Sequence, residues 1–160
     1  AARFDTAFAS YQRHYGEING QQSRLFDGVQ QGLEQLQALG LPLACLTNKP
    51  QMHAEVLLQR LGIAGYFRCV FGGDAFARKK PDPLPLLETA RALGTDPAVT
   101  LMLGDSSNDA QAAHAAGCPV LLVDYGYNHG QPIREVPAQG YLSSMAQLQG
   151  VSLARPGAIC

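Results

Sequence analysis

The sequence predicts an α/β fold in which a parallel sheet is covered by helices on both faces. From about residue 28, short apolar runs alternate with amphipathic helical segments, a pattern typical of parallel sheets. The strand runs are apolar at nearly every position, as expected of strands buried on both faces. With 160 residues, the chain is long enough for one domain with its own core.

The predicted helices and strands follow one another in a regular order. The first helix has Val29, Leu33, Leu36 and Leu39 on one face and stops at Gly40. The later segments, in chain order, are a strand at 41–46, a helix with Val56, Leu57, Leu58 and Leu61 inward, a strand at 69–71, a helix at 83–93, a strand at 100–103, a helix at 107–116 and a strand at 119–123.

The two ends of the sequence depart from this pattern. Phe4, Phe8, Tyr11 and Tyr15 have helical spacing with no strand before them, which predicts a helix whose aromatic stripe packs against another surface. Residues 151–160 show no periodicity and are predicted to be a disordered or vector-derived tail.

Composition excludes several classes of protein. The net charge of −1 argues against a nucleic-acid partner, and no apolar run approaches the roughly 20 residues needed to cross a membrane. The four cysteines form no C-x-x-C pair and no zinc-ligand spacing. We favour buried free thiols over the alternative of two surface disulfides. Free thiols predict a cytoplasmic protein. Nothing in the sequence indicates the oligomeric state.

Polar residues follow the predicted strands at their carboxyl ends, where ligands bind in parallel sheets. Thr47 and Asn48 follow the first strand and could donate hydrogen bonds to an anion beside the next helix. Capping of that helix explains them equally well. Lys80 precedes a proline that restricts its backbone, although a lysine in such a place is usually a solvated loop residue.

Two carboxylates accompany the strand that ends near residue 104. Asp105 follows the strand directly, and Asp109 falls in the first turn of the next helix. Hard oxygen ligands of this kind suit Mg²⁺. Helix capping is the alternative, but it does not explain an aspartate at the strand end, so we favour the metal site.

Together these segments resemble a known family. Thr-Asn at 47–48, Lys-Pro at 80–81 and Gly-Asp-Ser-x-x-Asp at 104–109 are similar, in this order, to motifs II, III and IV of the haloacid dehalogenase (HAD) superfamily. The resemblance covers Phe26 to about Leu148. Residues 125–130 also resemble the Gly-Tyr-Asn-x-Gly loop of phosphoglycolate phosphatases, with a plain glycine-rich turn as the alternative.

The resemblance implies a three-layer, Rossmann-like core and a role for each site residue. Thr47, Asn48 and Lys80 would bind the phosphoryl group, with Thr47 and Lys80 also catalytic. Asp105 would ligate Mg²⁺, and Asp109 would be a further ligand or an anchor. In the family an aspartate attacks phosphorus and forms an aspartyl-phosphate that water hydrolyses.

That aspartate belongs to an Asp-x-Asp-Gly-Thr motif that the sequence does not contain. The resemblance therefore implies a cap remnant and linker at residues 1–27, a core at 28–150 and a tail at 151–160. The core would lack its first, central strand, between the strands ending at Thr47 and Asp105. We expect the natural protein to extend upstream, and the 160 residues alone to be unstable because two strand edges would be unpaired.

The function expected from the resemblance is hydrolysis of small phosphorylated metabolites, with 2-phosphoglycolate favoured and sugar phosphates as alternatives. Two other functions remain open. A non-catalytic phosphate-binding module or pseudoenzyme fits the missing nucleophile but not the incomplete sheet. A metal-independent dehalogenase is disfavoured by the carboxylates at 105 and 109.

Overall fold

The computed structural model describes residues 23–150 and 158–160. Its α-helices are α1 (Val29–Ala38), α2 (Gln51–Arg60), α3 (Leu84–Leu93) and α4 (Ser107–Ala116). Its strands are β1 (Ala44–Leu46), β2 (Cys69–Phe71), β3 (Thr100–Gly104), β4 (Val120–Val123), β5 (Gly140–Leu142) and β6 (Ala158–Ile159). Short 3-10 helices lie at Ala64–Tyr66, Pro97–Val99, Ile133–Glu135 and Met145–Gly150.

The strand pairs of the described residues are parallel. β1 pairs with β2, and β5, β4, β3 and β6 lie side by side in that order. A parallel bridge between Leu43 and Ile159 joins the two groups, so the order across the molecule is β2-β1-β6-β3-β4-β5. The predicted parallel sheet is confirmed.

Helices cover the sheet on both faces and divide the core into two clusters. On one face, α3 contributes Leu86 and α4 contributes Ala110 to a cluster with side chains of β3, β4 and β6. On the other face, α1 contributes Leu33 and α2 contributes Leu58. Complete burial of a leucine stabilises a fold by roughly 1.5–3 kcal/mol, so both layers are needed for a stable core. The predicted α/β class is confirmed.

Some element boundaries differ from the prediction. β1 begins at Ala44 rather than at residue 41. The buried residues of α2 are His53, Ala54 and Leu58, whereas the other predicted inward residues are only half-buried, because this helix packs over the edge strand β2. The strand β5 was not predicted, since three residues beginning with glycine carry too little apolar pattern.

The prediction of a disordered tail is wrong for residues 158–160. Ala158 and Ile159 form β6, and residues 158–160 are each at most 7% exposed. The Cys160 N–H donates to the Leu101 carbonyl at 2.9 Å, and the Leu103 N–H donates to the Cys160 carbonyl at 2.7 Å. On the other side the Ile159 N–H donates to the Pro42 carbonyl at 3.1 Å. Apolar side chains allow this segment to lie inside the sheet.

The position of β6 also changes the expected gap in the sheet. β6 lies between β1 and β3, where the family resemblance implied that a strand would be missing. Residues 158–160 therefore partly close that gap. The predicted aromatic helix, with Phe4, Phe8, Tyr11 and Tyr15, and the tail at 151–157 lie outside the described residues.

Two smaller sequence expectations concern the membrane and the cysteines. Among the helices of the described residues, none combines the length and apolarity required to cross a bilayer. All four cysteines are free thiols: Cys118 and Cys160 are buried, and Cys45 and Cys69 are half-buried. The domain boundaries at residues 27 and 150 stay predictions.

Candidate active site

The carboxyl ends of β1 and β3 open into one cavity of about 530 Å³. Because parallel strands end at the same edge of a sheet, residues that are far apart in sequence meet there. The five residues singled out by sequence all line this cavity: Thr47, Asn48, Lys80, Asp105 and Asp109. Their roles stay predictions, but the structure brings them together.

Lys80 is fixed at the floor of the cavity, on the loop between β2 and α3. Its side chain is 8% exposed. The ammonium donates to the Leu46 carbonyl at 2.7 Å and forms an ion pair with Asp109 Oδ1 at 2.7 Å. The Asn48 amide donates to the Lys80 backbone carbonyl at 2.8 Å. An ammonium has three protons, so two fixed partners leave one proton for a bound anion.

Asp109 is held by partners on both of its oxygens. While Oδ1 faces Lys80, Oδ2 accepts from the Asp105 N–H at 3.0 Å, the Ser106 N–H at 3.1 Å and the Ser106 hydroxyl at 2.8 Å. Burial alone would raise the pKa of the Asp109 carboxyl, but the Lys80 charge and these hydrogen bonds outweigh it and hold the pKa below its usual value. Of the two roles predicted for Asp109, this geometry favours the anchor.

Asp105 is the more accessible carboxylate. Its Oδ2 accepts the Tyr127 N–H at 3.1 Å, so Oδ1 is the oxygen through which it can hold a cation. Burial raises the pKa of Asp105, the Tyr127 hydrogen bond opposes this, and the neighbouring Asp109 raises the pKa further. A carboxylate whose charged form is disfavoured in this way is a suitable place for a positive ion.

The residues present fit a hard cation such as Mg²⁺ only in part. The described residues contain no group of three or more His, Cys, Asp or Glu side chains placed around one point. Mg²⁺ usually keeps several waters and is bound by one or two carboxylates, so Asp105 is a sufficient start for such a site. Its further ligands would be waters, substrate oxygens or residues beyond those described.

Thr47 and Asn48 differ in what they can offer to a ligand. The Thr47 hydroxyl oxygen accepts the Lys49 N–H at 3.1 Å, so its own proton is available to the cavity. The Asn48 amide is instead engaged with the Lys80 backbone, which makes it a support for that loop. The N-terminus of α2 is less available to a bound anion than the sequence suggested. Its first residue, Gln51, already donates its N–H to Asp74 Oδ1 at 2.7 Å.

Sequence reasoning gave no supporting role to several residues that hold this site. Ser106 joins Asp109 in a capping box at the start of α4; helix capping was the alternative for the two carboxylates, and the Ser-x-x-Asp spacing was the available signal for Ser106. Asn128 is buried and its Oδ1 accepts the Ser107 N–H at 2.8 Å. Phe26 and Tyr125 line the cavity with ring centroids 4.8 Å apart; no sequence pattern connected them.

Comparison with known proteins places this site in context. The family model described as haloacid dehalogenase-like hydrolase matches residues 2–123. The chain is 48% identical over 146 residues to a phosphoglycolate phosphatase of Thiobacillus denitrificans and 49% identical over 123 residues to one of Escherichia coli. A crystal structure of a predicted phosphoglycolate phosphatase from Haemophilus somnus superposes with a TM-score of 0.84 at 36% identity.

These matches cover most of the chain but only part of the relatives. The alignments include 91% and 77% of the chain for the Thiobacillus and Escherichia proteins, and 88% for the Haemophilus structure. They include 64%, 49% and 62% of those proteins, respectively. The chain thus spans about half to two thirds of the length of the relatives it matches.

Proposed function

Because the chain belongs to the haloacid dehalogenase-like hydrolases, we propose that it supplies the phosphate- and cation-binding part of a Mg²⁺-dependent phosphomonoesterase. The proposed substrates are small phosphorylated metabolites, 2-phosphoglycolate first, since the two curated relatives described above are named phosphoglycolate phosphatases. The proposed reaction passes through an aspartyl-phosphate. Its attacking carboxylate would come from residues beyond these 160, which contain no Asp-x-Asp-Gly-Thr motif.

One observation carries the proposal. The Lys80 ammonium, the Thr47 hydroxyl and the Asp105 carboxylate face one cavity of about 530 Å³ from three separate loops. A phosphate ester needs donors for its oxygens and a cation to offset its charge. The three groups provide two donors and a cation ligand, with Lys80 already fixed by Leu46 and Asp109.

Each group has a defined task in the proposed reaction. Thr47 donates a hydrogen bond from its hydroxyl group to a phosphoryl oxygen. Lys80 directs its remaining proton toward the same group and offsets the negative charge that gathers there in the transition state. Asp105 would hold Mg²⁺, which when bound would act as a Lewis acid toward the phosphoryl oxygens. Asp109 keeps Lys80 and the end of β3 in place throughout.

The reaction breaks one phosphorus–oxygen bond at each step. In the first, phosphorus bonds to the attacking carboxylate, the bond between phosphorus and the ester oxygen breaks, and that oxygen takes up a proton and leaves as the alcohol. In the second, water bonds to phosphorus and loses a proton, which balances the one taken up before. The bond between phosphorus and the carboxylate oxygen breaks, and inorganic phosphate and the free carboxylate are released.

A matched pair of substitutions on either side of β3 tests the proposal. Asp105→Asn removes the carboxylate that follows the strand. The control, Asp96→Asn, removes a carboxylate that precedes the strand and caps the 3-10 helix at Pro97–Val99. In the protein from its complete natural gene, phosphate release from 2-phosphoglycolate is measured against Mg²⁺ concentration. We expect Asp105→Asn to lose most Mg²⁺-dependent turnover and Asp96→Asn to retain it. Undiminished turnover in Asp105→Asn would reject the assignment.

The same preparations separate the alternative functions. Chelation with EDTA abolishes the proposed activity but would leave a metal-independent dehalogenase active. A non-catalytic module would bind inorganic phosphate, measured by titration calorimetry, without releasing phosphate from any ester.

A further inference from the structure

Asn128 is a buried amide at the edge of the candidate site. It is 7% exposed, and its side chain bridges two elements. Oδ1 accepts the Ser107 N–H at the start of α4 at 2.8 Å, while Nδ2 donates to the Gln131 carbonyl at 3.1 Å. Only an amide offers both an acceptor and a donor at this size, since a carboxylate has acceptors alone.

The loop that Asn128 ties down is in direct contact with Asp105. The Tyr127 N–H, one residue earlier, donates to Asp105 Oδ2 at 3.1 Å. Gly126 lies so close to the Asp105 side chain that an added Cβ would collide with it. The backbone of this loop therefore holds one oxygen of the Asp105 carboxylate and covers one side of the Asp105 side chain.

We infer that Asn128 is a positioning residue for Asp105. Its two hydrogen bonds, one to the start of α4 and one that closes the turn at Gln131, together hold the Tyr127 N–H against Oδ2 and leave Oδ1 for a cation. Asn128 touches neither the substrate nor the cation in this arrangement. The inference rests on the proposed function, because it takes Asp105 to be a cation ligand.

The position of Asn128 in the loop fits this role, because the residues on either side of it face the cavity and Asn128 does not. Tyr127 and His129 both line the cavity, with ring centroids 5.2 Å apart, whereas Asn128 points into the protein. The Asn128 carbonyl also accepts the Gln131 N–H at 2.8 Å, so the turn is closed on itself as well as fastened to α4.

The test measures Mn²⁺ binding, by electron paramagnetic resonance, in the protein from its complete natural gene. Asn128→Asp keeps the acceptor for Ser107 and loses the donor to Gln131. Asn128→Leu loses both. The matched control is Gln139→Leu, which removes a similar amide clamp, since Gln139 Oε1 accepts the Val120 N–H at 2.6 Å at the opposite end of β4.

We expect Asn128→Asp to weaken Mn²⁺ binding by about tenfold or more, the size typical for residues that orient a metal ligand. Turnover should be recovered in part at saturating Mn²⁺. Gln139→Leu should lower the melting temperature without changing the Mn²⁺ dissociation constant. If Asn128→Leu does not fold, Asn128→Asp still decides the matter, because it preserves the contact with α4.

Two results would overturn the inference, and they are distinguishable. Unchanged Mn²⁺ affinity in folded Asn128→Asp, with Asp105→Asn abolishing binding, would reject the role of Asn128 alone. Absence of Mn²⁺ binding in the unsubstituted protein would reject the proposed function and this inference together.

Discussion

The substitution Asp109→Asn tests how the site is held together. It preserves the size of the side chain and removes its charge. Asp109 Oδ2 accepts from three donors and Oδ1 faces the Lys80 ammonium. An amide has one donor end, so in either orientation its NH₂ group must face a donor. Lys80 also loses its charge partner inside the protein.

The expected cost follows from burial of the pair. The Lys80 and Asp109 side chains are 8% and 6% exposed, and removing one partner of a buried ion pair typically costs about 3–5 kcal/mol. This is a large part of a typical domain's total stability of about 5–15 kcal/mol. Asp82→Asn, in the exposed pair with Arg78, is the control and should cost much less.

Urea unfolding of each variant measures the loss, and a double-mutant cycle with Lys80→Met isolates the pair. We expect Lys80→Met/Asp109→Asn to be more stable than the two single losses would predict, because no unpaired buried charge remains. Either of two results would refute the reasoning. One is that the losses in unfolding free energy of Lys80→Met and Asp109→Asn simply add in the double variant. The other is that Asp109→Asn costs no more stability than the control Asp82→Asn.

The pH dependence gives a second measurement on the same variant. Folding lowers the pKa of Asp109 from its ordinary value of 3.8. A carboxyl of this kind stabilises the fold fully above the unfolded pKa, and that contribution is lost as pH falls through the folded pKa. The stability difference between the natural protein and Asp109→Asn should therefore be constant near neutral pH and shrink below about pH 4. A difference that grew on acidification would contradict this sign.

Three further predictions address other parts of the molecule. Gly126→Ala should displace the Asp105 side chain and weaken Mn²⁺ binding by about tenfold, with unchanged affinity as the contrary result. Thr47→Val should lower kcat by about 10²–10³ and Thr47→Ser by far less, as expected for loss of one hydrogen-bond donor to a transition state; equal kcat values would exclude the hydroxyl. Ile159→Ala should destabilise the 160-residue chain by about 2–5 kcal/mol in urea unfolding, because Ile159 is 5% exposed; a negligible loss would contradict the pairing of β6.

Much of the fold was predictable from local pattern. Local signals include the apolar runs at β2, β3 and β4 and the apolar helical faces that end at a glycine. The structure has these strands and helices within a few residues of their predicted bounds. The candidate site was predictable for a related reason. Parallel strands end at a common edge, so Thr47 and Asp105 could be expected to meet there. Lys80 lies in the loop between β2 and α3, and only the family resemblance assigned it to the same site.

The partners of those residues were not predictable in the same way. The Asn48 amide donates to the Lys80 backbone carbonyl, and Asp109 is enclosed by its own neighbours and by Lys80. These contacts depend on side-chain orientations that packing decides. A residue type shows which hydrogen bonds are possible, but not which of several nearby groups will make them.

The sequence by itself thus determined the layers, the strand direction and the edge at which the chemistry gathers, because each follows from periodicity and chain order. Only the tertiary structure decided that Asp109 pairs with Lys80 and that residues 158–160 enter the sheet between β1 and β3. A two-residue strand has no period of its own. Its place depends on backbone groups of Leu101, Leu103 and Pro42, more than fifty residues away along the chain, and only the folded protein brings them together.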